Sequence, residues 1–198
     1  MKLILVRHGE THWNTLNKLQ SFTDNELNTN GHNQAKKTAS KLKTIHIDKI
    51  ISSPLIRAIQ TAEPLAQKHS IEIEIDQRIT ERNYGELEGQ NYLELVEFMK
   101  PIIKEGSFSK YNIEEPLDFK KRISEFWEEL HEKYFGKTVV LVSHSGTFKM
   151  LLSIIQNESY EIMRKKIHKT NASISTIEFS EPNVISLLDI GYDKHLVD

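Results

Sequence analysis

The sequence predicts an α/β fold in which helices cover both faces of a largely parallel sheet. The chain opens with a continuous apolar run at residues 3–6, which is too short for a helix. Such a run is typical of a strand that is buried on both faces, as in parallel sheets. Similar short runs recur along the chain, and segments with helical spacing of apolar residues lie between them. This alternation of strands and helices indicates βαβ units.

Five further strands are predicted from these apolar runs. They lie at residues 49–51, 71–75, 138–142, 174–179 and 184–188. Residues 71–75 alternate isoleucine with glutamate, so one face of that strand is expected to contact water. The alternation therefore favours a position at the edge of the sheet.

Four helices are predicted from apolar side chains that recur at helical spacing. Their apolar positions are Ala35, Ala39 and Leu42; Leu55, Ala58, Ile59, Ala62 and Leu65; Phe119, Ile123, Phe126, Trp127, Leu130 and Tyr134; and Phe148, Leu151, Leu152 and Ile155. Asn28 or Thr29 is expected to cap the first helix. Pro64 is expected to kink or interrupt the second.

The chain length of 198 residues favours one domain, or one domain with an insertion. Residues 86–116 do not fit the alternation of strands and helices. This segment combines an apolar pattern at Tyr92, Leu95, Val96 and Met99 with Pro101, Gly106 and scattered polar residues. We interpret it as an insertion beside the functional site, so that residues 1–198 form a single domain.

Composition and charge exclude several classes of protein. Lys plus Arg number 26 and Asp plus Glu number 28, and this near-balance argues against a dedicated nucleic-acid binder. The chain has no cysteine, which excludes disulfides, thiolate metal sites and a cysteine nucleophile. The longest apolar run near the start, residues 3–6, is too short for a secretory leader. Nowhere do about 20 apolar residues run together, so a membrane span is not expected either. The expected compartment is therefore the cytoplasm.

Polar residues follow four of the predicted strands. Arg7 and His8 follow the first strand, Arg57 lies shortly after the second, Glu81 comes after the predicted edge strand, and His144 follows the fourth. Ligands of open α/β sheets bind beyond the carboxyl ends of the strands. These five side chains are therefore expected to meet at one rim of the sheet.

The chemistry of this set suits phosphoryl transfer. Guanidinium groups match phosphate oxygens in a bidentate geometry. A neutral imidazole beside cationic groups keeps a lone pair and can act as a nucleophile. A glutamate can protonate a leaving alkoxide and later accept a proton from water. The sequence thus predicts a phosphohistidine mechanism. The remaining histidines show no metal-ligand spacing, so neither a metal nor a cofactor is expected.

The order of the motifs resembles that of the histidine phosphatase superfamily, the phosphoglycerate mutase-like group. The first motif is Leu3-Ile4-Leu5-Val6-Arg7-His8-Gly9-Glu10-Thr11 with Asn14. The others are Asp24, Leu27, Gly31, Gln34 and Ala35; Ser52-Ser53-Pro54 with Arg57, Ala58, Thr61 and Ala62; Glu81, Gly85, Glu88 and Gly89; Val142-Ser143-His144; and Asn171-Ala172-Ser173. They span nearly the whole chain. The resemblance implies a three-layer α/β/α sandwich around a mostly parallel six-stranded sheet.

The resemblance also implies a role for each matching residue. His8 would be the nucleophile, Glu81 the proton donor, and Arg7, Arg57 and His144 the groups that bind the phosphoryl group and stabilise its transition state. Asn14 would add a phosphate contact, Gln20 and Ser21 would line the substrate mouth, and Tyr84 would contact substrate. Ser145 and Ser21 stand where relatives commonly carry glycine. Both serines would narrow the mouth, and Ser145 is assigned to substrate binding.

Three functions remain open at this point. The favoured one is a metal-independent phosphomonoester phosphatase of the short branch, which includes broad-specificity phosphomonoesterases, α-ribazole-phosphate phosphatases and phosphoserine phosphatases. A cofactor-dependent phosphoglycerate mutase is the alternative. Mutases carry paired arginines in the insertion, whereas residues 86–116 contain no arginine, only Lys100, Lys104 and Lys110. A catalytically silent phospho-ligand sensor is the third.

The expected partner is a small phosphorylated metabolite, with neither nucleic acid nor membrane, and a homodimer is left open. The basic stretch at residues 164–169 is interpreted as a solvated surface segment rather than an anion-steering rim.

Overall fold

The computed structural model describes residues 1–166, 170–181 and 184–197. The strands of these residues are β1 (Lys2–Arg7), β2 (Lys49–Ser52), β3 (Ile73–Ile75), β4 (Thr138–Ser143), β5 (Ile174–Glu181) and β6 (Val184–Tyr192). They form one six-stranded sheet in the order β3-β2-β4-β1-β5-β6.

The sheet is mostly parallel, as predicted. Strand β1 pairs in parallel with β4, and β2 pairs in parallel with both β4 and β3. Only β5 runs the other way, antiparallel to β1 and β6. Strand β3 lies at the edge, as expected, but is shorter than the predicted 71–75. The strand begins only at Ile73, because Ser70 adopts the left-handed conformation that ends the preceding helix and Ile71 N–H donates to the carbonyl of Ala66.

Helices cover both faces of the sheet, which gives the three layers that the resemblance implied. The helices of the described residues are α1 (His12–Thr15), α2 (Thr29–Lys41), α3 (Ile56–His69), α4 (Tyr92–Glu105), α5 (Pro116–Tyr134), α6 (Ser145–Ile155) and α7 (Tyr160–Lys166). The side chains of β1 alternate between the two faces of the sheet. Leu3 and Leu5 pack with α5 and α6, and Ile4 and Val6 pack with α2 and α3. Asn28 caps α2, since its side chain accepts from Gly31 N–H.

Pro64, which is expected to kink or interrupt its helix, does not interrupt it. Helix α3 continues through Pro64 to His69. Proline removes one backbone hydrogen bond from a helix. The neighbouring Ala62, Leu65 and Ala66 are buried against the sheet, and this burial compensates for the lost bond. Helix α4 runs through Pro101 in the same way.

Residues 86–116 form a small layer with its own apolar cluster. Helix α4 lies between two short 3-10 helices, Gly85–Leu87 and Phe108–Tyr111. Leu19 joins the cluster from outside the segment; its other buried members are Leu87, Leu95, Met99, Ile102, Phe108 and Ile113. Backbone hydrogen bonds in both directions between Leu19 and residues 89–90 tie the segment to the chain that follows α1.

The basic stretch at 164–169 is described only in part. Arg164 and Lys166 are exposed at the end of α7 and pair with Glu161 and Glu158, as expected of a solvated segment. Ile167, His168 and Lys169 lie outside the described residues. Over the described ranges, every helix is either too short or too polar to cross a membrane.

Candidate active site

The carboxyl ends of β1, β2 and β4 lie together, and two of the predicted residues, His8 and His144, meet there. His8 follows β1 and its N–H donates to Ser143 O at 2.9 Å, while Ser53 follows β2 and its N–H donates to Val142 O at 2.9 Å. His144 follows β4. The ring centroids of His8 and His144 are 5.2 Å apart. The parallel register thus places two imidazoles side by side, as the strand-end argument predicted.

A hydrogen bond to the backbone selects the tautomer of the neutral His8 imidazole. Nδ1 lies 2.8 Å from the carbonyl oxygen of Gly9, which can only accept a hydrogen bond. Nδ1 is therefore the donor, and in the neutral ring Nε2 carries the lone pair. His8 is 4% exposed. Burial, followed by the charges of Arg57 and Arg7, holds the pKa of His8 well below its usual value.

The backbone around His8 is fixed on several sides. Its carbonyl accepts from Ala172 N–H at 3.1 Å and from the Asn171 amide at 3.1 Å. Gly9 N–H donates to the Thr61 hydroxyl at 2.9 Å. A Cβ on Gly9 would lie 2.7 Å from the carbonyl oxygen of Gly31, so glycine is required for this close approach.

Two buried guanidinium groups, of Arg7 and Arg57, are near enough to both imidazoles to lower their pKa values. Arg57 is 1% exposed and donates to Ser21 O and Thr23 O, each at 2.8 Å. Its Nε is buried without a hydrogen-bond partner, as are Nε and Nη1 of Arg7. Burial lowers the pKa of each arginine to about 10, and Glu81 opposes that shift in both. Buried donors without partners cost free energy, so this pair suits an anionic ligand.

His144 offers a third buried group. Its ring is fully buried, and Nε2 lies 2.7 Å from Ser53 Oγ. Nδ1 is buried without a partner, and so is Oγ of the adjacent Ser145. Burial and the charge of Arg57 hold the pKa of His144 well below its usual value. His144 occupies the N-cap position of α6.

The Glu81 carboxylate sits against the first turn of α6. Oε2 accepts from Gly146 N–H at 3.1 Å, and Oε1 accepts from Arg82 N–H at 2.9 Å. A Cβ on Gly146 would lie 2.3 Å from Glu81 Oε1, so the carboxylate occupies space that only glycine leaves open.

Asn14, Gln20 and Ser21, which are predicted to bind substrate, all lie in the chain between β1 and α2. Asn14 Oδ1 accepts from Thr11 and from the Asn171 amide, which leaves its own amide as the donor. Gln20 is buried and accepts from the Thr11 hydroxyl at 3.0 Å. Ser21 is 1% exposed, with φ of 51°.

Ser21 links the candidate site to the loop that carries Glu81. Its hydroxyl donates to Arg82 O at 3.1 Å and accepts from Tyr84 N–H at 2.7 Å. Its carbonyl accepts from Arg57. The side chain of Ser21 therefore joins two parts of the backbone.

Three tyrosine side chains lie within electrostatic range of charged groups of the candidate site. Burial raises the pKa of Tyr84 to about 12, and the guanidinium of Arg82 lies 5.4 Å from the centre of its ring. Burial also raises the pKa of Tyr160, and Tyr84 and Glu81 add to that shift. Tyr92, at the start of α4, is near enough to Arg7 to raise the pKa of that arginine.

Sequence reasoning missed Arg82, Arg122 and Tyr160. Arg82 directly follows Glu81, and that adjacency was a usable signal. Arg122 and Tyr160 lie on α5 and α7, and only the tertiary structure brings them to this loop. Across the described part of the chain, no three His, Asp or Glu side chains are grouped closely enough to hold a metal ion.

Comparisons with known proteins give a consistent result. The family model of the histidine phosphatase superfamily (branch 1) matches residues 3–188. Phosphoserine phosphatase 1 of Hydrogenobacter thermophilus is 33% identical, covering 96% of this chain and 92% of its own. A probable phosphoglycerate mutase, GpmB of Escherichia fergusonii, is 32% identical over 91% and 86%. A phosphoserine phosphatase from Entamoeba histolytica, crystallised with 3-phosphoglyceric acid, is 30% identical, covers 99% of both chains and has a TM-score of 0.84.

Proposed function

The chain belongs to branch 1 of the histidine phosphatase superfamily, and on that premise we propose that it is a phosphomonoester phosphatase acting through a phosphohistidine. Its substrates are small phosphorylated metabolites, in keeping with the phosphoserine phosphatases among its relatives. Residues 1–198 act as one domain, with residues 86–116 beside the site. The effect of Tyr92 on Arg7 supports that placement.

One observation carries the proposal. Nine side-chain nitrogen and oxygen atoms of the described residues are buried without a hydrogen-bond partner. Five of the nine belong to the candidate site: Arg7 Nε and Nη1, Arg57 Nε, His144 Nδ1 and Ser145 Oγ. Buried polar atoms are normally paired, so a cluster of unpaired ones marks a place where a ligand supplies the partners. A phosphoryl group has the charge and the oxygens to pair with these donors.

The reaction proceeds in two displacements. In the first, the lone pair of His8 Nε2 attacks phosphorus while the bond to the leaving oxygen breaks, and protonated Glu81 transfers its proton to that oxygen. In the second, water attacks phospho-His8, ionised Glu81 accepts a proton from the water, and the P–N bond breaks. Inorganic phosphate leaves, and both residues return to their starting states.

The remaining groups stabilise charge. Arg7 and Arg57 neutralise the phosphoryl oxygens in both displacements, and His144 donates a hydrogen bond to them. Because these groups are already held in place before substrate binds, little reorganisation accompanies the reaction. Asn14, Gln20, Ser21, Tyr84 and Ser145 remain the proposed substrate-binding residues.

A phosphatase is favoured over a mutase because the described structure offers few cations for a second anion. Lys100 pairs with Glu97 at 2.5 Å on the exposed side of α4, and Lys104 and Lys110 are exposed. Arg82 is buried, and its Nε and Nη2 donate to Glu114 O. A mutase must hold a bisphosphate by both ends, and this requires rigid cationic groups opposite His8.

The test compares phosphate release with isomerisation. The substrates are O-phosphoserine, glycerol 3-phosphate, 3-phosphoglycerate and p-nitrophenyl phosphate, with 3-phosphoglycerate also assayed after addition of the bisphosphate primer. We expect release of inorganic phosphate, negligible formation of 2-phosphoglycerate, and an acid-labile, base-stable phosphate adduct that is absent from His8→Ala. Primed isomerisation that outruns phosphate release would establish the mutase instead. Tight phosphate binding without turnover would establish the silent sensor.

A further inference from the structure

We propose that Arg122, held by Glu114, is a positioning residue for the general acid Glu81. The inference rests on the proposed function, because it assigns Arg122 a role in the proton transfer that Glu81 performs. Arg122 lies in α5, and Glu114 lies at the end of the 86–116 segment. Neither residue belongs to the set that the strand ends predicted.

Arg122 holds the backbone on the N-terminal side of the acid. Nη1 donates to Arg78 O at 2.6 Å and to Thr80 O at 2.8 Å. Nη2 donates to the carbonyl of Glu81 itself at 3.0 Å. One guanidinium therefore fixes three carbonyls within four residues of the loop.

Glu114 holds the other side of the acid. Its Oε2 accepts from Asn83 N–H at 3.1 Å, and its carbonyl accepts from Nε and Nη2 of Arg82 at 3.2 and 2.7 Å. Its own N–H donates to Asn83 O at 3.0 Å. The residues on both sides of Glu81 are thus attached to the same short stretch of chain.

Arg122 and Glu114, which together form what we call the brace of Glu81, are also joined to each other. Arg122 Nε donates to Glu114 Oε1 at 2.6 Å, and Nη2 donates to Oε2 at 3.0 Å. With the three backbone carbonyls, this accounts for all five N–H groups of the guanidinium. The side chains are 19% and 14% exposed, so water competes weakly. Lysine has three donors on one nitrogen and cannot reproduce this planar arrangement.

The brace matters because it holds a donor to the Glu81 carboxylate. Oε1 accepts a hydrogen bond from Arg82 N–H, which belongs to the braced loop. If the loop shifts, that bond and the bond from Gly146 N–H change together. Displacement of a catalytic group by about 1 Å costs on the order of 100-fold in rate. Loss of the brace should therefore act on proton transfer and leave phosphoryl binding in place.

The experiment uses leaving groups of different basicity. A poor leaving group such as an alkoxide needs protonation, whereas p-nitrophenolate needs little. We measure kcat/KM for the best alkyl phosphate and for p-nitrophenyl phosphate, and take their ratio. Arg122→Lys is expected to lower this ratio at least tenfold, while inhibition by vanadate, which reports phosphoryl binding, changes less than threefold. Glu114→Gln keeps the side-chain size and should behave in the same way.

Arg78→Lys is the matched control. Arg78 lies in the same stretch, but the hydrogen bonds and ion pairs described for its guanidinium are to Asp76 and Glu129 rather than to Glu81. Its substitution should leave the ratio unchanged. In a Glu81→Gln background, Arg122→Lys should no longer change the ratio, because the acid through which it acts is gone.

Two results would overturn the proposal. Equal slowing of both substrates by Arg122→Lys and Glu114→Gln would show a merely structural role. A drop in the ratio that persists in the Glu81→Gln background would show that Arg122 acts through another group. If Glu81→Gln alone leaves the ratio unchanged, the acid role in the proposed function fails, and this outcome is distinct from both.

Discussion

Replacing Gly146 by alanine should separate proton transfer from folding. The new Cβ would lie 2.3 Å from Glu81 Oε1 and 3.1 Å from its Cδ, whereas ordinary contact begins at 3.4 Å. Oε1 must therefore move away by about 1.1 Å, from 2.3 Å to the 3.4 Å at which ordinary contact begins. That movement breaks the 3.1 Å bond from Gly146 N–H to Oε2. The phosphoryl-binding groups Arg7, Arg57 and His144 keep their places.

The size of the effect follows from the displacement. A misplacement of about 1 Å costs on the order of 100-fold in rate, and general acid catalysis as a whole is worth roughly 100- to 10,000-fold. We expect kcat/KM for alkyl phosphates to fall about 100-fold. For p-nitrophenyl phosphate the fall should be less than about tenfold, because its leaving group needs little protonation.

Stability should change little in the same variant. Alanine at a helical position gains up to about 1 kcal/mol over glycine, and loss of the hydrogen bond to the carboxylate costs about as much. The melting temperature should therefore move by less than about 4 °C. Gly136→Ala is a control that should lower stability without changing activity. At φ of 83° and with open space around its Cβ, it should cost about 1 kcal/mol of strain and leave activity unchanged.

The assay is steady-state kinetics on both substrates together with thermal unfolding. Combining Gly146→Ala with Glu81→Gln should add no further loss for alkyl phosphates, since the displaced acid is already absent. Full alkyl phosphatase activity in Gly146→Ala would refute the reasoning. So would an equal loss for both substrates, because the substitution would then act on something other than the acid.

Two further predictions concern pH and metals. The pKa values of His8 and His144 are lower in the folded state than in the unfolded state, so unfolding takes up protons below about pH 6.5. The free energy of unfolding should therefore fall as the pH is lowered from 7, by up to about 1.4 kcal/mol per pH unit for each ring. Urea unfolding at pH 7, 6 and 5 should show a flatter dependence for His8→Gln and for His144→Gln than for the wild type or for the exposed control His32→Gln, and equal slopes in all four would contradict this. Activity should survive dialysis against EDTA, since Arg7 and Arg57 supply the positive charge; a loss that a divalent ion restores would show a metal requirement.

The sequence alone determined the strand order along the chain and the residues that follow each strand. Apolar runs are a local property, and parallel strands bring their carboxyl ends to one edge. The convergence of His8 and His144 was therefore predictable from residues 3–8 and 138–144. The apolar stripes of α2, α3, α5 and α6 were equally readable, because helical spacing is also local. The identity of the family followed from the order of the motifs.

Only the tertiary structure decided the features that depend on distant partners. Helix α3 continues through Pro64 because burial against the sheet outweighs one lost hydrogen bond, and no local pattern reports that balance. The sequence placed Ser21 at the substrate mouth, but its two side-chain hydrogen bonds are to the backbone 61 and 63 residues away. Arg122 reaches carbonyls more than 40 residues earlier in the chain. Such contacts form between elements whose relative positions are fixed by packing of the whole fold, so the sequence identified the reactive groups, and the packing decided what holds them.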